Sequence, residues 1–528
     1  MATIRPKPTA GTSVARAFFR QLERPLPSSS RRVIEELSDY VLNLAARNGW
    51  FDAWRSVYSR AHMNELPHHA TLLAAYRHAI QYLEGLAVKP VSSASTLQDL
   101  RHKLRKELPD VPMDPEEVVT ELVADVEGGI LGSAGGRFFA WAIGGSLPAA
   151  LAADWLTSAW DQNAALYACG PAAAVVEEVA GAWLKRILGL PEESSFAFVS
   201  GCQMAHVTCL AAARWELLNH CGWDVEQHGL GGAPPICVIA SNRHGSVERA
   251  VRLIGIGASH IIDLPLDETE RVRPETLEDR LETCHGSPIV VVLQAGDLNT
   301  GAFDRYAELI PLAHRFGAWV HIDGAFGLWA AASTRYRQLL EGYEQADSWA
   351  TDGHKWLNVP YDCGYAFVAR PTPHRAAMSH RAPYLVHDGD ARDQIDWNPE
   401  WSRRGRGVAT YAALRQLGRQ GLEQMVDRCC QHARDLVAGI GGMPGVEVLW
   451  KPILNQGLVR FRDPNPGATV HDRYTDAVIQ RLLADGRVFF MGTTWHGMRA
   501  MRISVLNWQT TAADITTAID AVAKCLAA

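Results

Sequence analysis

Between residues 148 and 410, short β-rich runs alternate with helical stretches, and no other feature constrains the fold of this chain as strongly. The runs are 196–199, 236–240, 260–263, 288–293, 318–322 and 364–368, with helical candidates at 172–188, 247–253 and 306–315 between them. Strands that are apolar on both faces, separated by helix-length segments, predict an α/β domain with a mostly parallel sheet covered on both sides. Ligands of such sheets sit beyond the carboxyl ends of the strands. The residues just after each run are therefore the candidates for function.

The flanks read differently. Residues from about 12 to 125 suggest helices broken by polar turns, with helical spacing over 33–46 and 72–86, a linker at 88–96, and a turn at 109–115 that starts the next helix. After 410 a long helical pattern (411–440) leads to strand-like runs at 446–450, 457–461, 488–490 and 501–505, then a last helix from Ala512. The expected organisation is an N-terminal helical arm or domain (1–147), a large domain (148–410) and a small α+β domain (411–528).

Charge and cysteine content narrow the partners. With 51 Lys+Arg against 58 Asp+Glu the net charge is −7, which argues against nucleic acid or an anionic membrane as the main partner. The apolar stretch 138–153 contains Gly144, Gly145 and Pro148 and is too short to cross a bilayer. Arg5, Lys7, Arg16 and Arg20 precede the first acid, Glu23, with no apolar run behind them. That pattern speaks against a secretory signal and for an arm, with an organelle transit peptide as the alternative. Ten cysteines include no CxxC pair, so neither a metal site nor a disulfide framework is expected, and a reducing cytoplasm fits.

Four segments carry chemistry. In SWATDGHKWLNVPY (348–361), Lys355 lies between His354 and Trp356; among aromatics and near other cations its pKa is expected to fall, freeing the amine as a nucleophile. Asp323 ends the run 318–322, where an uncompensated carboxylate would be costly to bury and therefore needs a cation, such as a protonated pyridine nitrogen. His244 follows the run 236–240 in a strand-to-helix loop, where a flat ring can face a flat cofactor. In VSGCQMAH (199–206), the small residues Ser200, Gly201 and Cys202 leave backbone amides at a helix N-terminus, a natural phosphate cradle. Singly, a snorkelling lysine, a helix-capping aspartate or a loop histidine explains each of these. Together they form the toolkit of a pyridoxal-phosphate enzyme. The lone Gly255-Ile256-Gly257 lacks the third glycine and later acid of a dinucleotide site.

At this point the chain resembles the group II pyridoxal-phosphate-dependent amino-acid decarboxylases of fold type I, at least from residue 125 to 510. The resemblance rests on His354-Lys355-Trp356, Asp323-Gly324-Ala325, His244, and Gly301-Ala302-Phe303-Asp304. It implies an aspartate-aminotransferase-like large domain, and pyridoxal 5'-phosphate held by Lys355 as a Schiff base. Asp323 would face the ring nitrogen, with Ala325 and His244 against the two ring faces. It further implies a homodimer with shared active sites. Arg404 and Arg406 become candidates for supporting the substrate's carboxylate end.

The chain also departs from the family pattern. Gln203, after Cys202, stands where a phosphate-binding serine is usual, leaving backbone amides, Gln203 and His354 for that task. In the resembling substrate pocket, Phe139 and Trp141 are kept beside Ala142 and Gly144, and Asn163 and Ala165 replace large apolar groups of a segment from the partner subunit. This implies a roomier or more polar pocket, with an aromatic substrate as the leaning. The loop 385–401, ahead of Arg403-Arg404, has no tyrosine to return a proton to the substrate carbon; Tyr384 just before it and His387 within it are the available donors. Decarboxylation to the amine is the first reading, because His244 is present. A decarboxylation-dependent oxidative deaminase (an aldehyde synthase using O2) is the alternative, and a catalytically silent cofactor-binding protein a third. An aminotransferase shares the fold and the lysine, but the His-Lys-Trp segment and His244 argue against it. Arg502 is assigned no catalytic role.

Overall fold

The computed structural model describes residues 68–380, 391–465 and 471–527, in two compact units: 68–83 with Leu97–Glu127, and Glu84–Thr96 with the described residues from Gly128 onward. The helical expectation at 33–46 lies outside the described residues. Helix α1 (His69–Gly85) begins in the first unit, which also holds α2 (Leu97–Leu104) and α3 (Pro115–Val126). Asp114 caps α3 by accepting the Glu116 and Glu117 amides at 2.8 and 3.3 Å, and Pro115 fills the first turn, where a missing N–H costs nothing.

The second unit is built on a seven-stranded sheet in the order β1-β7-β6-β5-β4-β2-β3. Its strands are β1 (Ser195–Val199), β2 (Cys237–Ala240), β3 (Ile261–Asp263), β4 (Ile289–Gln294), β5 (Trp319–Asp323), β6 (Ser348–Asp352) and β7 (Gly364–Val368). All run parallel except β7, which pairs antiparallel with both β1 and β6. Successive side chains of a strand point to opposite faces. Accordingly Ile289, Val291 and Leu293 enter one core cluster, while Val290 and Val292 enter the other. Both faces are dry, as the continuous apolar runs require.

Helices α4 (Pro148–Trp160) and α5 (Pro171–Ile187) precede β1, and α6 (Cys202–His220) follows it. Next come α7 (Val225–His228), α8 (Gly245–Leu253), α9 (Pro274–Thr283), α10 (Tyr306–Arg315) and α11 (Pro371–Met378). Beyond them α12 (Gly407–Gly441) leads to a four-stranded antiparallel sheet, β10-β11-β9-β8, with α13 (Asp472–Asp485) and α14 (Ala512–Ala527). Its strands are β8 (Val446–Trp450), β9 (Gln456–Phe461), β10 (Met491–Trp495) and β11 (Met498–Ser504).

Three sequence expectations need correction. Strand β6 has no counterpart among the predicted runs, because its Ser348, Thr351 and Asp352 are polar; all are buried and hydrogen-bonded. The run at 488–490 is not a strand: Phe489 makes only an isolated bridge to Phe138, and the strand begins at Met491. The long helix α12 is two helices joined at Gly418, whose φ of 59° and ψ of −175° suit glycine alone.

Candidate active site

Strands β1, β2, β5 and β6 end at the same edge of the sheet, and each delivers one element of the predicted site. Gly201 and Cys202 follow β1, His244 follows β2, Asp323 closes β5, and Lys355 stands three residues beyond β6.

Lys355 is seated by an unforeseen residue. Asp352, the buried last residue of β6, takes the Lys355 ammonium at 3.1 Å and the Cys202 amide at 2.6 Å; His354 Nε2 stands 3.5 Å away. Burial would raise the Asp352 carboxyl, but Lys355 and His354 hold it below the ordinary carboxylate range. Conversely, burial works to lower the Lys355 pKa, and Asp352 and then Asp323 overcome it, so the pKa is raised. The expected depression does not occur in this arrangement, because two carboxylates, not cations, surround the amine. Trp356, expected to make the lysine's surroundings aromatic, is wholly buried in the core.

The phosphate cradle also differs from expectation. The Cys202 amide is committed to Asp352, and the Met204 and Ala205 amides already bond to the Gly201 carbonyl at 2.9 and 3.0 Å. Among the described residues this leaves the Gln203 amide of the first turn. The Gln203 side chain ties α6 to α8 through the Ser246 carbonyl at 3.2 Å. Burial pushes the Cys202 thiol well up, so it stays protonated. His354 stacks on Tyr361 with ring centroids 4.2 Å apart.

His244 caps α8. Its Nδ1 accepts the Ser246 amide at 3.2 Å and lies 2.7 Å from the Ser246 hydroxyl. A ring nitrogen that accepts from an amide carries no proton, so the proton of neutral His244 is on Nε2, free to donate. Burial lowers its pKa, with Asp323 opposing and Lys355 assisting. The ring therefore stays neutral and keeps this donor near neutral pH.

Asp323 is 3% exposed. One oxygen accepts the Ala325 amide at 3.2 Å; the other faces His206 Nε2 at 3.5 Å, beyond a good hydrogen bond. A buried carboxylate without a cation in contact suits a protonated ring nitrogen, and the lysine, carboxylate and outward imidazole N–H fit pyridoxal phosphate. Arg502 on β11 was passed over in the sequence. It is 7% exposed, and among the described residues its guanidinium has no hydrogen-bond or ion-pair partner. Burial lowers its pKa to about 10 against the pull of Asp297, and its charge in turn lowers that of His244. Nothing short of its depth in the fold could have marked it.

Several predicted pocket residues serve the scaffold instead. A Cβ on Gly144 would lie 1.9 Å from the Lys355 carbonyl oxygen, so its missing side chain lets two backbones touch and opens no pocket. Ala142 is packed into the main core, and Ala165 is buried against Leu166 and Ile395. Neither enlarges the pocket as expected. Asn163 accepts the Ala165 and Arg403 amides and so pins its loop. Arg404 bonds to Asp154 and Ser158 on α4 through one nitrogen, and Arg406 to Asp362, so both are anchored to the protein, although Arg406 Nη1 has no partner among the described residues. Trp141 alone keeps an exposed ring, 44% accessible, propped on Phe138 and Phe489. Tyr384 and His387 lie outside the described residues.

Residues 98–463 match the pyridoxal-dependent decarboxylase conserved domain. The aromatic-L-amino-acid decarboxylase of Bacillus atrophaeus is 29% identical over 391 residues, covering 72% of this chain and 79% of the relative. The phenylacetaldehyde synthase of Petunia hybrida is 25% identical, covering 68% of this chain and 73% of the relative. Among solved structures, Oryza sativa TDC with PLP and tryptamine superposes with a TM-score of 0.81 at 23% identity, over 89% of this chain and 99% of that one, which shows the shared fold.

Proposed function

This chain belongs to the pyridoxal-dependent decarboxylase family, and on that footing we propose that it converts an aromatic L-amino acid to its amine with the residues gathered around Lys355. It is a pyridoxal 5'-phosphate-dependent amino-acid decarboxylase. Lys355 is the residue that would hold the cofactor, Asp323 would face its ring nitrogen with Ala325 alongside, and His354 and the Gln203 amide would meet its phosphate. The bound cofactor supplies the electron sink that makes loss of CO2 feasible.

The observation that carries the reading is the tautomer of His244, set by the Ser246 amide at Nδ1, which leaves a proton on Nε2 to donate to a substrate carboxylate. Arg502, cationic, buried and unpaired among the described residues, would complete the grip. His244 and Arg502 would hold the substrate's carboxylate in one orientation, and that orientation would choose the bond cleaved. The aromatic preference rests on the exposed Trp141 ring, one short segment from the Gly144 contact with Lys355. Tyr384 is the donor we assign to return the proton to the substrate carbon. The absence of tyrosine from 385–401 keeps the aldehyde-releasing reaction as the second reading, a chemistry represented by name among the relatives.

A homodimer is part of the proposal: Trp155, Leu156 and Trp160 on α4 are 40–55% exposed, as an interface helix requires. No described helix is long and apolar enough to cross a membrane. The ten cysteines are unpaired and seven of them buried, which supports a reducing cytoplasm. The test is a product assay in air on cofactor-loaded protein with pooled L-amino acids, following amine, aldehyde and peroxide. Amine without peroxide is expected. Aldehyde with equal peroxide would overturn the amine reading in favour of the second.

A further inference from the structure

Under Asp323 lies a buried chain of polar groups that the reaction, as argued so far, does not use. His321 and Asp323 are two apart on β5 and so point to the same face, where α6 presents His206. Both histidines are 0% exposed, with rings edge-to-face at 5.2 Å. His206 Nδ1 lies 2.9 Å from His321 Nε2, His321 Nδ1 lies 2.9 Å from Ser348 Oγ, and that oxygen accepts the Trp319 indole N–H at 2.9 Å. At the other end, His206 Nε2 has no hydrogen-bond partner among the described residues and is aimed at Asp323 Oδ2, 3.5 Å away.

The two ends fix every proton between them. An ionised carboxylate only accepts, so His206 must carry its proton on Nε2 and accept at Nδ1. His321 then donates from Nε2 and accepts at Nδ1, which requires the Ser348 hydroxyl as donor. Ser348 in turn accepts from Trp319, whose indole N–H can only donate. Each link from Trp319 to His206 is satisfied with both rings neutral, and the His206 Nε2–H is left pointing at Asp323 Oδ2 from 3.5 Å. Burial favours that state in both, lowering the pKa of His206 and, further, that of His321. The other titratable groups facing His206 and Asp323 are Cys202 on α6, His244 after β2, and Asp352 and Lys355 at the end of β6.

We propose that Trp319, Ser348, His321 and His206 form a one-directional hydrogen-bond chain that points the His206 Nε2–H at Asp323 and so orients that carboxylate toward where the cofactor's ring nitrogen would lie, with His206 as the positioning residue. The proposal rests on the cofactor reading above. A hydrogen-bond donor favours the charged form of a carboxylate; without it the grip on the cofactor weakens, most of all at low pH. His206→Phe keeps the ring volume and removes both nitrogens, whereas His206→Gln keeps a donor and an acceptor.

The measurement is cofactor affinity of apoprotein by tryptophan quenching from pH 5.5 to 8.5, alongside the acid limb of kcat/KM. For His206→Phe we expect affinity about tenfold weaker and the acid limb about one pH unit higher, equivalent to a hydrogen bond to a charged group of ~1.4 kcal/mol. His206→Gln should recover part of both. Ser348→Ala, which cuts the far end, should move both the same way but less, and serves if His206→Phe does not fold. Unchanged affinity and acid limb in Ser348→Ala and His206→Phe, or a His206→Gln no better than His206→Phe, would overturn the chain. If the parent protein bound no cofactor at all, the cofactor reading itself would fall and this inference with it.

Discussion

Replacing Asp352 by Asn removes a single charge from a group that touches Lys355, Cys202 and His354 at once. At the observed 3.1 Å, the Lys355–Asp352 attraction is about 5 kcal/mol in a medium of effective dielectric ~20. Breaking a buried pair by deleting one partner typically costs about 3 kcal/mol; the Lys355 side chain is 21% exposed and Asp323 remains nearby, so this is an upper figure here. An ammonium destabilised by ~3 kcal/mol gives up its proton more readily, and at any pH below its titration the neutral fraction rises by up to roughly 100-fold. Asn keeps an oxygen for the Cys202 amide, so the cradle geometry survives. Only the neutral amine attacks the cofactor's aldehyde. Stopped-flow absorbance of apoprotein mixed with pyridoxal phosphate at pH 7 should therefore show capture faster by between about 10- and 100-fold. The ratio to the parent must shrink toward one as pH approaches the lysine's titration. Slower capture, or a rate ratio independent of pH, would refute the electrostatic account.

Further changes test the scaffold. Gly144→Ala drives a methyl into the Lys355 carbonyl; overpacking of this kind costs about 1–3 kcal/mol, so thermal unfolding should fall by several degrees and cofactor retention should weaken. Gly231→Ala, which meets nothing within 4 Å, should leave both unchanged. His374, wholly buried, donates from Nε2 to the Trp397 carbonyl and receives the Ser195 hydroxyl at Nδ1, and burial lowers its pKa to about 3. Unfolded, it titrates near 6.5, so the unfolded chain binds the extra proton between those values. The resulting stability is intact above pH 6.5 and is lost progressively as pH falls toward 3. Urea midpoints measured at pH 7, 6 and 5 should decline less steeply for His374→Gln than for the parent, and parallel declines would show that His374 is not responsible.

What could be read in the sequence was whatever repeats or has only one chemical use. Apolar runs such as Ile289–Gln294 state their burial on both faces in their composition, and a lysine framed by His354 and Trp356 after a strand-end carboxylate has few alternative employments. What could not be read depends on polar groups that are buried because another buried polar group completes them. Strand β6 hid behind Ser348, Thr351 and Asp352, which look like turn residues until Trp319, Ala325 and the Cys202 amide supply their partners. Gly144 misled for the opposite reason. A small residue in a pocket-like segment suggests space, yet the Lys355 carbonyl fills it. The same logic bears on substrate choice. With Gly144, Ala142 and Ala165 all covered by their own chain, volume gained from small residues no longer argues for a large pocket. Trp141 then remains the side chain from which selectivity would be set, and Trp141→Ala should raise KM for aromatic substrates more than for small ones. Equal KM changes across both classes would move the specificity argument away from this ring.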